Sequence, residues 1–489
     1  MAQLGLIDVV NDYSADIENK LDAQRTINMY IRSTPEGKTK ASLVPMAGLT
    51  NPKVFTGLDE VRQLYVYKEH LYAVVSDKIY KISITGTATE LGTIGSLSGY
   101  VGVASNISQV IWVDGANGYI YDTGTSTFST ITATGFPSSP QDVAFIDGYL
   151  VVNEGNTNKF FISALNNGLS WDALSFESIQ SRPDTLIGVR TLHRRLFLFG
   201  KVSTEVWYDA GASDFPFVRD SNLLLEYGCA APGSIAVGYQ RLLWLSGDEN
   251  GLGSVMMTDG TTPVPVSIPA VDYAFQKYSN VSDARSIIYK LDGHVFYEIS
   301  FTSANHTWVY DVTLNKWYER ETLNKGRAKA NCHAYFNGKH YVGAHDEGVM
   351  YLLNPLSYVD IDSNGVSHPI KRERICGHFT TPHLQQIRIN RFNLDIVAGV
   401  GLPGIKEISA KPDQNLYDEP RIFLSWSKDG GDWYGAGNTQ TFGRIGDRTH
   451  RAIWRRLGNA RDWVFKIEIT SKSKVFILGA SIEYEISGR

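Results

Sequence analysis

Residues 145–154 read FIDGYLVVNE. A short strand runs into Asp147-Gly148, and a mostly apolar strand follows. A two-residue type I′ turn needs positive φ at both central positions, which Gly adopts freely and Asp tolerates, so this stretch predicts a tight β-hairpin. The same arrangement recurs as VYKEHLYAVV (66–75), NISQVIWVDG (106–115), TLHRRLFLFG (191–200), VGYQRLLWLS (237–246), KLDGHVFYEIS (290–300) and YFNGKHYVGA (335–344). The first turn residues are Lys68, Ile107, Asp147, His193, Tyr239, Asp292 and Asn337, at successive spacings of 39, 40, 46, 46, 53 and 45 residues. That is the period of four-stranded propeller blades.

Each unit continues alike. A third strand often ends in Asp and turns into a fourth, as in YIYDTGTSTFSTIT, EVWYDAGASDFPFV and WVYDVTLNKWYER. The pattern approaches that of kelch blades but lacks their Gly-Gly pair. Seven such units predict an all-β fold with a β-propeller over 61–360, or six blades if an outer unit pairs elsewhere. The competing reading is a pair of β-sandwiches, which rarely keep so regular a hairpin period.

Residues 355–378 break the period and read as a linker with an Asn-Gly turn. Beyond them lie longer alternating runs, QQIRINRFNLDIVAG (385–399), PRIFLSWSKDG (420–430), DWVFKIEITSK (462–472) and KVFILGASIEYEI (474–486). Their alternation predicts a C-terminal antiparallel β-sandwich over 361–489. Residues 1–60 precede the first blade yet carry Ile27, Met29, Tyr30, Leu43, Val44 and Met46. They are expected to form an N-terminal arm packed on the sandwich, which would serve as a platform.

Bulk properties fit a globular chain with real cores. The 489 residues are 43% hydrophobic and 20% charged, with a net charge of −5. Such a balance gives no global attraction to nucleic acid or anionic membrane. Cys229, Cys332 and Cys376 stand far apart and form neither a disulfide framework nor a Cys-x-x-Cys zinc ribbon. MAQLGLIDVVNDY has no basic n-region and meets Asp8 early, so it does not read as a signal peptide. No run of about 18 apolar residues is present, so no stable membrane insertion is expected.

SWSKDGGDWY (425–434) approaches the Asp box of sialidases through Ser427, Asp429 and Gly431, with Trp433 one place early and Tyr434 in its slot. A sialidase needs several boxes on successive blades; here it occurs once and outside the propeller. An Asp-Gly turn over a packed aromatic is the plainer reading. The carboxylate pairs Asp142 with Asp147 and Asp346 with Glu347 are read at turns, where such residues are usually solvated, so no catalytic residue is assigned. Cys332, His333, His340 and His345 invite a metal. With a two-residue Asn337-Gly338 turn, His333 faces Val342 and sits diagonal to His340, about 7–8 Å away on one face. That is too wide for one Zn²⁺ with ligands near 2 Å, and no metal or cofactor is expected. Arg444, Arg448, Arg451, Arg455, Arg456 and Arg461 form the one basic cluster, with Trp454 inside it. Phosphate binding and base stacking are one reading; pairing with carboxylates at a subunit or intradomain contact is the favoured one.

INMYIRSTPEGKTKASLVPMAGL (27–49) resembles the opening of the packaged-DNA stabilisation proteins of short-tailed bacteriophages, the tail hub or nozzle subunits. Asn28-Met29, Thr34-Pro35 and Pro45-Met46-Ala47-Gly48 hold the places of that family's motifs. SRPDTLIGVRTLHRRLFLFGKVSTEVWYDAG (181–211) is similar to its Pro-Asp…Ile-Gly…Phe-Gly…Thr-Glu block. The stretches from 420 and 447 resemble its C-terminal domain, including a Trp-Arg-Arg-Leu-Gly signature at 454–458. The resemblance implies a structural, non-enzymatic protein of the virion tail, assembled in the host cytoplasm. It would form a homo-oligomeric ring, by analogy a hexamer, below the portal and adaptor proteins. The ring would extend the channel for passing double-stranded DNA and help retain packaged DNA. It would also carry a tail needle or plug and tail fibres or tailspikes. Asn28, Met29, Tyr30, Arg451, Trp454, Arg455 and Arg456 are the expected interface residues. A phage-borne propeller glycan hydrolase and a kelch-like cytosolic binding module are the alternatives.

Overall fold

The computed structural model describes residues 2–15, 22–34, 37, 39–182, 184–212, 214–247, 253–323, 325–398, 420–435, 437–443 and 446–486. The fold is all-β, a β-propeller and a β-sandwich. Among the described residues the helical elements are Pro269–Gln276 and the short 3-10 turn Pro232–Ser234. The chain divides into two compact units. One comprises Asn51–His306 and Lys329–Leu353, the other Met1–Thr50, Thr307–Ala328 and Asn354–Arg489.

The first unit is the propeller. Four-stranded sheets occupy 61–93, 102–130, 140–178, 186–225, 236–265 and 330–354. The last takes its fourth strand from Gly48–Val54, of which Asn51–Val54 belong to this unit. Between the fifth and the last lies the hairpin of Arg285–Leu291 with His294–Phe301. The first strand of each sector packs on the next, and the last packs on the first, so the ring closes. Radial closure leaves only short sheet edges.

The second strand of each blade is mostly apolar because both of its faces are covered. In Gln109–Val113 every residue is buried. Val110 and Trp112 pack with Tyr72, Val74 and Ile79 of the blade before. Ile111 and Val113 pack with Val143, Leu150 and Val152 of the blade after. Arg195–Gly200 repeats the arrangement, with Leu196 and Leu198 against Val151 and Phe160, and Phe197 and Phe199 against Leu242 and Trp244. Each fully buried side chain of this size contributes roughly 1.5–3 kcal/mol. The interlocked faces are the main stabilising term of the unit.

The inner hairpins turn where the sequence places them. Lys68, Asp147, His193, Tyr239, Asp292 and Asn337 all have positive φ, between 46° and 52°. The exception is Ile107. There the Asn106 carboxamide oxygen accepts the N–H groups of Ser108 and Gln109 at 3.0 and 2.7 Å, and neither turn residue is left-handed. A side chain takes over a role that backbone conformation fills elsewhere.

The second unit is the sandwich. One sheet orders Met29–Ser33, Ala41–Pro45, Ile477–Ile486, Ile387–Ile396 and Ala452–Ala460, with Gln3–Ile7 also on Ile477–Ile486. In the facing sheet Arg25–Ile27, Arg372–Ile375, Asp462–Ile469 and Arg421–Lys428 are successive neighbours. Phe392 of the first sheet meets Phe465 of the second at 4.8 Å between ring centroids. From the expected N-terminal arm (1–60), the strands Gln3–Ile7, Met29–Ser33 and Ala41–Pro45 join one sheet and Arg25–Ile27 the other. Thr307–Ala328, which the repeat assigned to a blade, also belongs here. Ile27 pairs in parallel with Glu319, whose carboxylate accepts two bonds from the Arg25 guanidinium at 2.7 and 2.8 Å.

Two hairpins, His193-Arg194 and Tyr239-Gln240, place non-glycine residues left-handed at both turn positions. An L-residue there costs about 1–2 kcal/mol, and glycine avoids that cost at an entropic penalty of roughly 0.5–1 kcal/mol. Gln240→Gly is expected to leave the fold intact and raise stability by roughly 0.5–1 kcal/mol, read from the denaturation midpoint at unchanged slope.

Candidate functional site

Asn28 sits in the left-handed region at φ 58° and is 2% exposed. Its amide donates to the carbonyls of Glu321 at 3.0 Å and Lys371 at 2.7 Å, and its oxygen accepts the Glu321 N–H at 3.1 Å. Asn tolerates this backbone better than most residues. One side chain thus clips three distant segments of the sandwich unit together. Met29 and Tyr30 are equally buried, on the strand that pairs with Ala41–Pro45. All three residues pack their own unit and present little surface to a partner.

The basic cluster behaves differently. Arg448, Arg451, Arg455, Arg456 and Arg461 are exposed, while Arg444 lies outside the described residues. Trp454 is buried, 6.0 Å from the Phe392 ring, and donates its indole N–H to the Asn438 carbonyl at 3.2 Å. Arg455 and Arg456 lie on Ala452–Ala460, the terminal strand of its sheet. The register slips opposite them between Ile389 and Arg391, and Arg456 has φ 61°, the signs of a bulge. Among the described residues no carboxylate pairs with Arg451, Arg455 or Arg456. The arginines therefore guard an open sheet edge with unspent charge, a common defence of edges. Trp454 anchors the strand from inside.

The Asp box lookalike is a sandwich turn. Ser427 pairs with Trp433 across it, and Ser427 Oγ donates to the Gly431 carbonyl at 2.7 Å. Asp429 and Gly430 are both left-handed. The Asp429 carboxylate accepts the N–H groups of Arg461 and Asp462 at 2.8 and 2.9 Å. Its lone pairs hold a neighbouring chain reversal in place.

The remaining sequence candidates sort as follows. Asp142, expected at a solvated turn, is instead fully buried inside the strand Pro140–Ile146. It pairs with the Arg190 guanidinium and accepts the Tyr100 hydroxyl at 3.0 Å and the Val189 N–H at 3.1 Å. Asp147 occupies its hairpin turn as read. Glu347 pairs with Lys329 and accepts the Tyr351 hydroxyl. His333 faces Val342 and Tyr335 faces His340, in the register read from the sequence. His333 Nε2 and His340 Nδ1 nevertheless meet at 2.9 Å, because the imidazoles lean together across the diagonal. Burial and the neighbouring His340 push His333 down to about 3, so it is neutral near pH 7. Burial pushes the thiols of Cys229 and Cys332 up to about 12 and that of Cys376 up to about 11, which keeps them protonated and unreactive. Sequence reading missed Tyr100, Arg190 and Asp142 as a group. The available signal was a polar residue at an inward position of an otherwise apolar first strand, in QDVAFI and in LIGVRTL.

The family model described as bacteriophage P22 Gp10, beta-propeller, matches residues 15–358. The model described as bacteriophage P22 Gp10, beta-sandwich, matches residues 378–485. No curated protein matches the chain. Similar solved structures include a chain of the Mitotic Checkpoint Complex, at 11% identity and TM-score 0.44, covering 66% of this chain and 95% of that one. The Pan2 WD40 domain of Neurospora crassa matches at 11% identity and TM-score 0.39, covering 60% and 89% of the two chains. The computationally designed Ika8 protein matches at 11% and 0.38, covering 62% and 98%. At these TM-scores the structural likenesses add nothing to the fold as described.

Replacing Asn28 by Ala leaves buried polar groups at residues 321 and 371 unpaired and keeps the left-handed backbone. A loss of about 3 kcal/mol is expected. Asn28→Gly, which removes only the side chain, should recover about 1–2 kcal/mol of that loss in equilibrium denaturation.

Proposed function

This chain belongs to the bacteriophage P22 Gp10 family of structural phage tail proteins, and on that premise we propose that it is the nozzle or hub subunit of a short tail. In this reading copies assemble as a ring, six by analogy, below the portal and adaptor proteins. The ring extends the DNA channel, helps retain the genome and docks a needle or plug and tail fibres or tailspikes. It assembles in the host cytoplasm and acts without catalysis or cofactor. The observation that carries the reading is the succession of both family domains along one chain, at 15–358 and 378–485. The edge strand Ala452–Ala460 supports it, because exposed arginines without a carboxylate partner among the described residues suit a carboxylate-bearing neighbour in a ring. Mass measurement of the purified chain with and without its connector, followed by particle imaging, tests the ring.

Removing one partner of a buried interfacial charge pair costs about 2–5 kcal/mol. Arg455→Ala and Arg456→Ala are expected to weaken ring formation on that scale while the monomer melts as the parent does. Normal rings that leak DNA would place these arginines on the channel wall instead.

Six copies at −5 each would carry −30, so the bore should lack a continuous basic lining. A wall rich in Lys and Arg would grip a polyanion and slow its passage. The isolated protein is therefore expected to bind duplex DNA only nonspecifically, with Kd of about 10⁻⁴–10⁻⁶ M at physiological salt. A steep dependence of affinity on salt would show direct electrostatic retention.

A further inference from the structure

The first strands of the propeller line a partly open axial cavity of about 380 Å³. Its wall includes Arg62, Tyr100, Arg190, Arg285 and Ser286. A second cavity of about 440 Å³ shares Tyr100, Gly233, Arg285 and Asn331 with the first, so these residues form the waist between two chambers. Arg62, Arg190 and Arg285 all contribute to this wall, and each guanidinium is held differently.

Arg190 is neutralised, since it pairs with the buried Asp142 and donates to the Tyr100 hydroxyl. Arg62 is 2% exposed and fully hydrogen-bonded, but to neutral oxygens. It donates to the carbonyls of Ser76, Ser96, Ser98 and Gly99 and to the Ser96 hydroxyl. Arg285 lies over the Tyr100 ring at 4.9 Å from its centroid, and among the described residues its guanidinium makes no hydrogen bond or ion pair. Glu60 and Asp283 line the second chamber and attract Arg285 only at longer range. Burial pushes both Arg62 and Arg285 below the usual arginine range, although Arg285 is only half-buried and keeps part of its surface open. A desolvated cation is strongly unfavourable unless an anion or a set of hydrogen bonds compensates it.

We propose that the waist of the propeller axis is a binding site for a small multivalent oxyanion of the phosphate class, held by Arg285 with the charge of Arg62 nearby. A planar guanidinium presents a fork of N–H donors that matches two oxygens of such an ion. Tyr100 keeps that fork in place from below by the attraction between a cation and a ring face. The chamber admits an ion with some of its water and is far too small for a duplex. The site is thus separate from any DNA channel of the assembled ring, and its test does not depend on the ring reading.

Titration calorimetry of the full chain with inorganic phosphate, against sodium chloride at matched ionic strength, reads the site. Saturable binding with unit stoichiometry is expected, together with a rise in melting temperature that follows phosphate concentration. Arg285→Gln orphans no acceptor and should fold like the parent while binding at least about tenfold more weakly, a difference of about 1.4 kcal/mol. Arg285→Lys keeps the charge without the fork and should fall between the two. A nucleoside monophosphate forms the second arm of the titration. Binding by phosphate alone marks a free-ion site, and tighter binding by the nucleotide marks a nucleotide phosphate as the source. Absence of saturable binding beyond the chloride control, or binding that Arg285→Gln leaves unchanged, overturns the proposal.

Discussion

The sandwich depends on one constraint: the first fifty residues must meet segments 293 and 343 residues further along before either can be buried. Asn28 enforces it with bonds to residues 321 and 371, and a second buried donor, Arg374, completes it. The Arg374 guanidinium donates to the carbonyls of Asp8 and Asp12, to the Thr26 hydroxyl at 3.0 Å and to the Gln24 side chain at 2.6 Å. Burial pushes Arg374 below its usual range, so the cation is tolerated only because the N-terminal backbone surrounds it with oxygens. A single buried charge thereby fixes the placement of Asp8, Asp12, Gln24 and Thr26. The arrangement resists fraying of the chain start, where disorder usually concentrates. Contacts of such high sequence separation also close slowly, because loop entropy is lost before burial rewards it.

The propeller is held by the opposite means. Its hairpins are local, and its cohesion comes from repeated apolar contact between neighbouring blades, with Trp112, Trp207 and Trp244 each filling the space against an adjacent sheet. Closure needs only the last blade to meet the first. Phe55 N–H reaches the Gly348 carbonyl at 2.8 Å, and the Gly348 N–H reaches the Leu58 carbonyl at 3.0 Å. A Cβ at Gly348 would fall 2.5 Å from that Leu58 oxygen, so the seam requires glycine. Apolar side chains fill the space between blades, while polar ones collect on the axis, where seven converging strands leave room that no side-chain packing fills.

Much of this was legible because period-2 burial and tight turns write themselves into local sequence. Asp147-Gly148, Asp292-Gly293 and Asn337-Gly338 announced hairpins whose register the structure reproduces. The failures are all non-local. Asp142 lies close to an Asp-Gly turn, and nothing nearby reveals that Arg190 and Tyr100, 48 and 42 residues away, neutralise it. WVYDVTLNKWYER has the look of a blade's outer hairpin, yet Thr307–Ala328 groups with both chain ends, because Asn28 and Arg25 bind its far side. For Arg451, Arg455 and Arg456, composition could not separate an internal ion pair from an open charge. Only the position of their strand at a sheet end does so.

The turn at Asp429 shows why a motif of catalytic families can recur without catalysis. A carboxylate that attacks, or that moves protons, needs a lone pair facing a cleft and a second carboxylate at a set distance. Asp429 instead directs one oxygen at two successive backbone N–H groups of another reversal, and its own N–H returns to the Asp462 carbonyl at 2.9 Å. Three hydrogen bonds across two adjacent turns lock both in register. Asp serves well here because its short side chain tolerates the left-handed backbone and its charge strengthens bonds to amides. The same chemistry favours Asp-Gly turns in sandwiches and propellers alike. A single Ser-x-Asp-x-Gly therefore reports on turn geometry, and a hydrolase has to be argued from carboxylates that such turns leave free.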